Sequence, residues 1–254
     1  MKLKTILFLA FLLVLAQVQA QQLAKPDTLK TNGGPLVIQP ITHGTLALTY
    51  KAKTIYVDPY GGAELFKGLP KPDLILITDI HPDHLDTTTL AALNTEKVRM
   101  VVPRAVAEQM PEKYKKQLVV LDNGGQSTQQ GIGILAMPMY NLPDTADARH
   151  PKGRGNGYVL QVGDKRVYIS GDTEGIPEMR RLQNIDVAFV CMNLPYTMDV
   201  DQAADAVLEF KPKMVYPYHF RGENGFSDVE KFKQLVNAKD KNIEVRLKEW
   251  YPKK

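Results

Sequence analysis

The stretch Thr78-Asp-Ile-His-Pro-Asp-His-Leu-Asp86 sets two histidines and three aspartates within nine consecutive positions. It directly continues Asp73-Leu-Ile-Leu-Ile-Thr78, a nearly unbroken apolar run that reads as a strand covered on both faces. Such a strand delivers its last residues to the carboxyl edge of a sheet, where open α/β sheets place ligands. His81 and His84 are three apart, with Asp79 and Asp83 interleaved, so a tight turn lets the four side chains converge. Imidazoles beside carboxylates suit zinc and, less selectively, manganese or iron. A cation also removes the cost of gathering acids, because each carboxylate then meets an opposite charge. The competing reading is a solvated loop in which Asp83 or Asp86 caps the helix that follows. Two distant segments argue against it. Gly171-Asp172-Thr173 follows the strand-like "RVYIS", and His219 follows "KMVYPY". Three strands ending in ligand-type residues point to one shared site.

Working outward, short β-rich runs come first: "LVIQPI", "TLALTY" and "KTIYVDP", separated by polar or glycine breaks. After the histidine-rich stretch, "TTTLAALN" and "RAVAEQM" read as helices, while "VRMVVP" and "QLVVLD" read as strands. The second half repeats the habit. Strands are expected at "GYVLQV", "RVYISGD", "DVAFVCM", "KMVYPY" and "IEVRL", with helices from Val200 to Phe210 and from Asp228 to Val236. Val200, Ala203, Ala204, Val207 and Leu208 share one face of the first of these helices. No linker divides the halves, so residues 36–254 are expected to form one α/β domain.

The first twenty residues have the pattern of an export signal: Lys2 and Lys4, an apolar run from Ile6 to Ala16, then Val18-Gln19-Ala20 as a small-residue cleavage site. That run is too short to span a bilayer, which needs about 20 apolar residues. The mature protein is therefore expected in the periplasm or secreted, with no stable membrane insertion. Residues 21–35, rich in Lys, Gln, Thr and Gly, are expected to form a flexible lead-in. The 254-residue chain carries a formal charge of +4, of which the signal contributes two lysines and no acid. So slight a balance argues against a nucleic-acid partner and leaves a small molecule as the expected substrate. The single cysteine, Cys191, lies in an apolar run and reads as a buried hydrophobe.

The order and content of these motifs resemble the metallo-β-lactamase superfamily of metal-dependent hydrolases, whose signature is His-x-His-x-Asp-His. Here it appears as Asp79-Ile-His-Pro-Asp-His84, followed by "SGDT" and "PYHF". The early "ITHGTLAL" and "IYVDPY" are similar to the branch containing ascorbate-lactonate lactonases and N-acyl-phosphatidylethanolamine phospholipases. The resemblance implies a four-layer αββα sandwich and one or two divalent ions, most simply zinc. Asp83, His84 and His219 match the second metal position, Asp172 the carboxylate that bridges both, and His81 a ligand of the first. Asp79 stands where the signature has its first histidine, a harder donor that adds a negative charge. The strand ending at Met139-Tyr140-Asn141 has no histidine, which leaves His150 as the ligand from that loop or as an exposed residue. The implied chemistry is hydrolysis of an ester, lactone, amide or phosphodiester, with Asp83 and Asp172 orienting the attacking water. The departures at Asp79 and Tyr140 keep a second reading open, a non-catalytic metal-binding or ligand-sensing protein of the same fold. His43 before its strand reads as structural, Asp58 either as a turn former or as the group that orients a ligand histidine, and Tyr196 as an oxyanion donor.

Overall fold

The computed structural model describes residues 23–251, so the expected export signal at residues 1–20 lies outside them. Four antiparallel strands, β1 (Asp27–Thr31), β2 (Gly34–Thr42), β3 (Thr45–Tyr50) and β4 (Lys53–Val57), lead into three parallel ones, β5 (Leu74–Leu76), β6 (Arg99–Val102) and β7 (Leu118–Val120). Helix α1 (Thr87–Ala92) links β5 to β6, and α2 (Arg104–Gln109) lies between β6 and β7. The second sheet repeats the plan. Antiparallel β8 (Gln126–Gln129), β9 (Ile132–Met139), β10 (Gly155–Val162) and β11 (Lys165–Ile169) are followed by parallel β12 (Val187–Cys191) and β13 (Met214–Tyr218). A small hairpin, β14 (Arg221–Gly222) and β15 (Gly225–Phe226), leaves the sheet, and β16 (Glu244–Val245) returns to it beside β13. Helices α3 (Pro177–Arg180), α4 (Val200–Phe210) and α5 (Val229–Lys239) form the crossovers of this half.

Period-two alternation explains the layers. Ile55, Val57, Leu74, Leu76 and Val101 point into the core shared with the second sheet. Their neighbours Tyr56, Ile75, Ile77, Met100 and Val102 point the other way and pack with Leu90 of α1 and Val106 of α2. In the second half, Val200, Ala203, Ala204 and Val207 of α4 are buried against the sheet, while Leu208 is only half-buried. The result is the expected αββα sandwich. Asp199 begins α4 with a reciprocal cap, accepting from the Gln202 amide while the Gln202 side chain accepts from its own N–H.

The lead-in expected over residues 21–35 is corrected from Asp27 onward, where the chain forms strand β1. It pairs with β2 across the two-residue turn Asn32-Gly33. The alternating exposure of Thr28 to Lys30 places Leu29 against the core, and Asp27 accepts from Tyr216 Oη (2.7 Å) and Lys248 Nζ (2.9 Å). Cross-strand pairing and the packing of Leu29 hold the segment despite the polar composition around it. Strand β8 was not expected either, since Gln126–Gln129 carries no apolar residue and is held by pairing with β9.

The two sheets are joined at the edge where the parallel strands end. The Asn156 N–H at the start of β10 donates to the Thr78 carbonyl just past β5 (2.9 Å), and Tyr158 Oη donates to the Ile77 carbonyl (2.8 Å). The closely spaced glycines of "GRGNGY" allow this approach. A Cβ at Gly155 would lie 2.8 Å from the Thr78 carbonyl oxygen, and one at Gly157 would lie 2.7 Å from that of Ser170.

Candidate metal centre

The histidine-rich stretch leaves β5 as a tight turn, closed by donation of the His84 and Leu85 N–H groups to the His81 carbonyl (2.9 and 2.8 Å). Of its three acids, Asp86 is spent on structure: it caps α1 by accepting from the Thr88 and Thr89 amides. The other two face the site. Across the carboxyl edges of β5, β11 and β13 the structure brings together all seven residues expected as ligands: Asp79, His81, Asp83, His84, His150, Asp172 and His219. With His43 included, every one of the chain's five histidines lies in this cluster.

Two imidazole nitrogens face each other at its centre, His84 Nε2 and His219 Nε2, 3.3 Å apart. Asp172 Oδ2 is 3.4 Å from His84 Nε2, Asp172 Oδ1 is 3.4 Å from His219 Nε2, and Asp83 Oδ2 is 3.4 Å from His219 Nε2. A tetrahedral ion with bonds of about 2.0–2.1 Å separates its ligand atoms by about 3.3–3.4 Å. His84, Asp172 and His219 therefore have the spacing of a coordination shell, and Asp83 joins them from the side of His219, 3.9 Å from His84 Nε2. Asp172 Oδ1 is buried with no hydrogen-bond partner, an expensive arrangement unless a cation engages it. The donor set fits a divalent ion.

The supporting groups fix the orientation of these donors. Asp58, fully buried at the end of β4, accepts from His84 Nδ1 (2.8 Å), from the Thr78 amide (2.7 Å) and from Thr78 Oγ1 (2.6 Å). This directs the His84 Nε2 lone pair at Asp172 and His219, the orienting role rather than the turn-forming one. His150 is buried, and its Nδ1 and backbone N–H both meet Asn141 Oδ1 (2.9 and 2.8 Å). The strand that lacks a terminal histidine thus supplies the carboxamide that aims one from nine residues on. His43 Nε2 donates to Asp83 Oδ2 (3.0 Å), and its Nδ1 meets Tyr251 Oη (2.8 Å). The sequence favours a structural role for it over one facing the cleft, because a lone histidine in the two-residue turn between β2 and β3 is more often structural; the structure places it against Asp83. Tyr196 instead carries the Arg149 guanidinium over its ring at 4.2 Å, and its carbonyl accepts from Asn141 Nδ2 (2.9 Å).

The main chain is shaped for the same purpose. His43, Asp58 and His219 all adopt left-handed backbone conformations, with φ of 52°, 42° and 48°. Each costs of order 1–3 kcal/mol, and such residues gather where surrounding structure dictates the geometry. Gly44 permits the imidazoles to close in, because a Cβ there would lie 2.9 Å from His219 Cδ2.

Burial alone would raise the Asp172 and Asp83 carboxyls. The charges of His219 and His84 reverse this at Asp172, and hydrogen bonds from His219 and His43 reverse it at Asp83, so both are held well below the usual carboxylate range. His84 behaves conversely: burial pulls it down, yet Asp172 and Asp58 hold it well above the usual histidine value. Burial and the neighbouring His219 bring His43 down to about 4, which keeps it neutral. Asp79, despite burial, is drawn down to about 2 by His81, His84 and Arg154. The cluster is thus an anionic cup whose imidazoles lean toward whatever positive charge it contains.

Residues 53–220 match the Beta-lactamase superfamily domain. A UPF0173 metal-dependent hydrolase of Pyrococcus horikoshii is 32% identical over 202 residues, covering 74% of this chain and 87% of that one. Another from Thermus thermophilus is 29% identical over 218 residues, 82% of this chain and 93% of the relative. Among solved structures, a candidate metal-dependent hydrolase of Parabacteroides distasonis superposes with a TM-score of 0.79 at 39% identity, covering 90% of this chain and all of that one. The domain match, the αββα sandwich and the donor cluster at its edge agree, and the chain belongs to the β-lactamase superfamily as a metal-dependent hydrolase of metallo-β-lactamase fold.

Proposed function

We propose that the protein is an exported hydrolase that directs water at an ester, lactone, amide or phosphodiester bond of a small molecule, with zinc as its preferred ion and manganese or iron as substitutes. The observation that carries this reading is the set of separations near 3.3–3.4 Å among His84, Asp172 and His219, with Asp83 Oδ2 3.4 Å from His219 Nε2. A divalent ion held there supplies Lewis acidity and lowers the pKa of a bound water from about 15.7 to near 7. The chain's own residues do the rest. Asp172, buried and anionic, joins the His84 and His219 imidazoles and anchors the donor set. Asp83 keeps a side chain 32% exposed and is held by His43, so its carboxylate is placed to orient the attacking water. His43, neutral and braced by Tyr251, fixes that carboxylate from behind.

Chelation tests the chemistry. Turnover on a panel of carboxylic esters, lactones, amides and phosphodiesters should fall at least about 100-fold after EDTA dialysis and return with zinc, given the weight of metal-activated water in such sites. Activity untouched by chelation would refute the proposal. Export rests on the Lys2 to Ala20 pattern. Among the described residues no helix is long and apolar enough to cross a membrane. Expressed in a Gram-negative host, the full chain should be recovered from the periplasm with Gln21 as its first residue. An intact Met1 on protein found in the cytosol would rule export out.

A further inference from the structure

Asp79, the residue that departs from the signature, is not a free ligand. It is fully buried, and both of its oxygens are engaged by Arg154: Nε donates to Oδ1 (3.1 Å) and Nη2 donates to Oδ2 (2.9 Å). His81 Nδ1 lies 2.8 Å from the same Oδ2, and His81 Nε2 lies 3.5 Å from Arg154 Nη2. The spacing differs from that around Asp172. The 2.8 Å contact is a hydrogen bond, shorter than the edge of a coordination shell. Two of the three first-position groups are therefore turned toward each other and toward a guanidinium.

We propose that Arg154 takes the place of a second cation, closing the Asp79–His81–His150 position so that the protein holds one divalent ion, at Asp83, His84, Asp172 and His219. This rests on the reading of those four residues as the metal position. An arginine does not deprotonate in proteins, and its fork matches a carboxylate with two parallel bonds. A divalent ion brought to Asp79 would meet that fixed positive charge across the same two oxygens, with little water to screen it. The main chain that carries Arg154 is fixed. The next residue, Gly155, packs on the Thr78 carbonyl, and the Asn156 amide bonds to it. The Asn156 side chain is tied to the Leu121 carbonyl (2.8 Å) and to Asn123 Nδ2 (2.7 Å). The seam between the sheets thus sets the arginine's main chain beside Asp79, the two bonds to that carboxylate hold its guanidinium there, and the substitution at Asp79 and the presence of Arg154 form one feature.

The test is metal stoichiometry. Full-length protein stripped with EDTA is titrated with zinc sulfate by calorimetry, and bound zinc is counted by mass spectrometry after gel filtration. The native chain should retain one zinc. Arg154→Gln leaves the Asp79 carboxylate without its counter-charge and should raise bound zinc about twofold, to two ions. Arg154→Lys keeps a positive charge and should remain at one. If the buried carboxylate prevents Arg154→Gln from folding, the double variant Asp79→His with Arg154→Gln removes the charge conflict and should bind two. Two tightly bound zincs in the native protein, or one in both Gln-containing variants, would overturn the inference. No zinc in the native protein would remove the metal position on which it depends.

Discussion

Asp172→Ala should empty the centre. Bound zinc should fall to less than a tenth of the native content, and kcat/KM on any substrate the native protein turns over should drop by about 1000-fold or more, on the order expected when activated water and its positioning are lost together. The reason is that Asp172 joins three imidazoles: its oxygens lie 3.4 Å from His84 Nε2, His150 Nε2 and His219 Nε2. Alanine leaves those rings facing one another with no anion between them. Asp172→Asn keeps the volume and is the control for packing; it should lose zinc almost as fully, since a neutral amide is a poor ligand. Near-native metal content in Asp172→Ala, together with a rate within tenfold of native, would show that this carboxylate is not central.

The largest effect on stability should come from Trp250, the chain's single tryptophan and a fully buried residue. Its ring meets Phe189 and Tyr218 edge-on, at centroid distances of 6.3 and 5.7 Å, and its carbonyl accepts from the His43 N–H (3.3 Å). Trp250→Ala should cost about 3–5 kcal/mol, the usual range for removing a buried large aromatic ring. For a domain of this size that corresponds to a drop in Tm of about 10 °C. Tyr218 precedes His219, so the cavity would open directly beneath a ligand-bearing turn, and zinc should be lost more readily on dilution. Trp250→Phe fills part of the space and should recover about half of the stability. Thermal denaturation followed by circular dichroism checks this; a Tm shift below about 2 °C for the alanine variant would contradict the packing described.

Much of this was legible in the sequence because the information is local. Apolar runs such as Asp73–Thr78 and Val187–Cys191 announce strands by themselves, and the Val200 to Phe210 helix shows its buried face at helical spacing. Ligand-type residues placed just after such strands reveal the site edge, which is why Asp172 and His219 could be joined to His81 and His84 despite their distance in the chain. What escaped notice depends on contacts between segments. Arg154 and Asp79 are 75 residues apart and meet because β10 crosses to the end of β5. The only hint was chemical: a carboxylate in place of a histidine requires a counter-charge from somewhere. His43 is likewise silent until the β2–β3 turn is seen to lie over Asp83. Strand β1 was hidden by its polar composition, since what holds it is pairing with β2 and the packing of Leu29.

The concentration of all five histidines in one cup has a further consequence. Cys191, the chain's single thiol, is buried and pushed up to about 11 by that burial, so it offers little thiolate to compete for a soft ion. No other imidazole exists to capture metal during folding or to bind it adventitiously on the surface. Every histidine resonance in a magnetic-resonance spectrum is then a reporter from the same few ångströms of protein, and occupancy can be followed from those signals without any label.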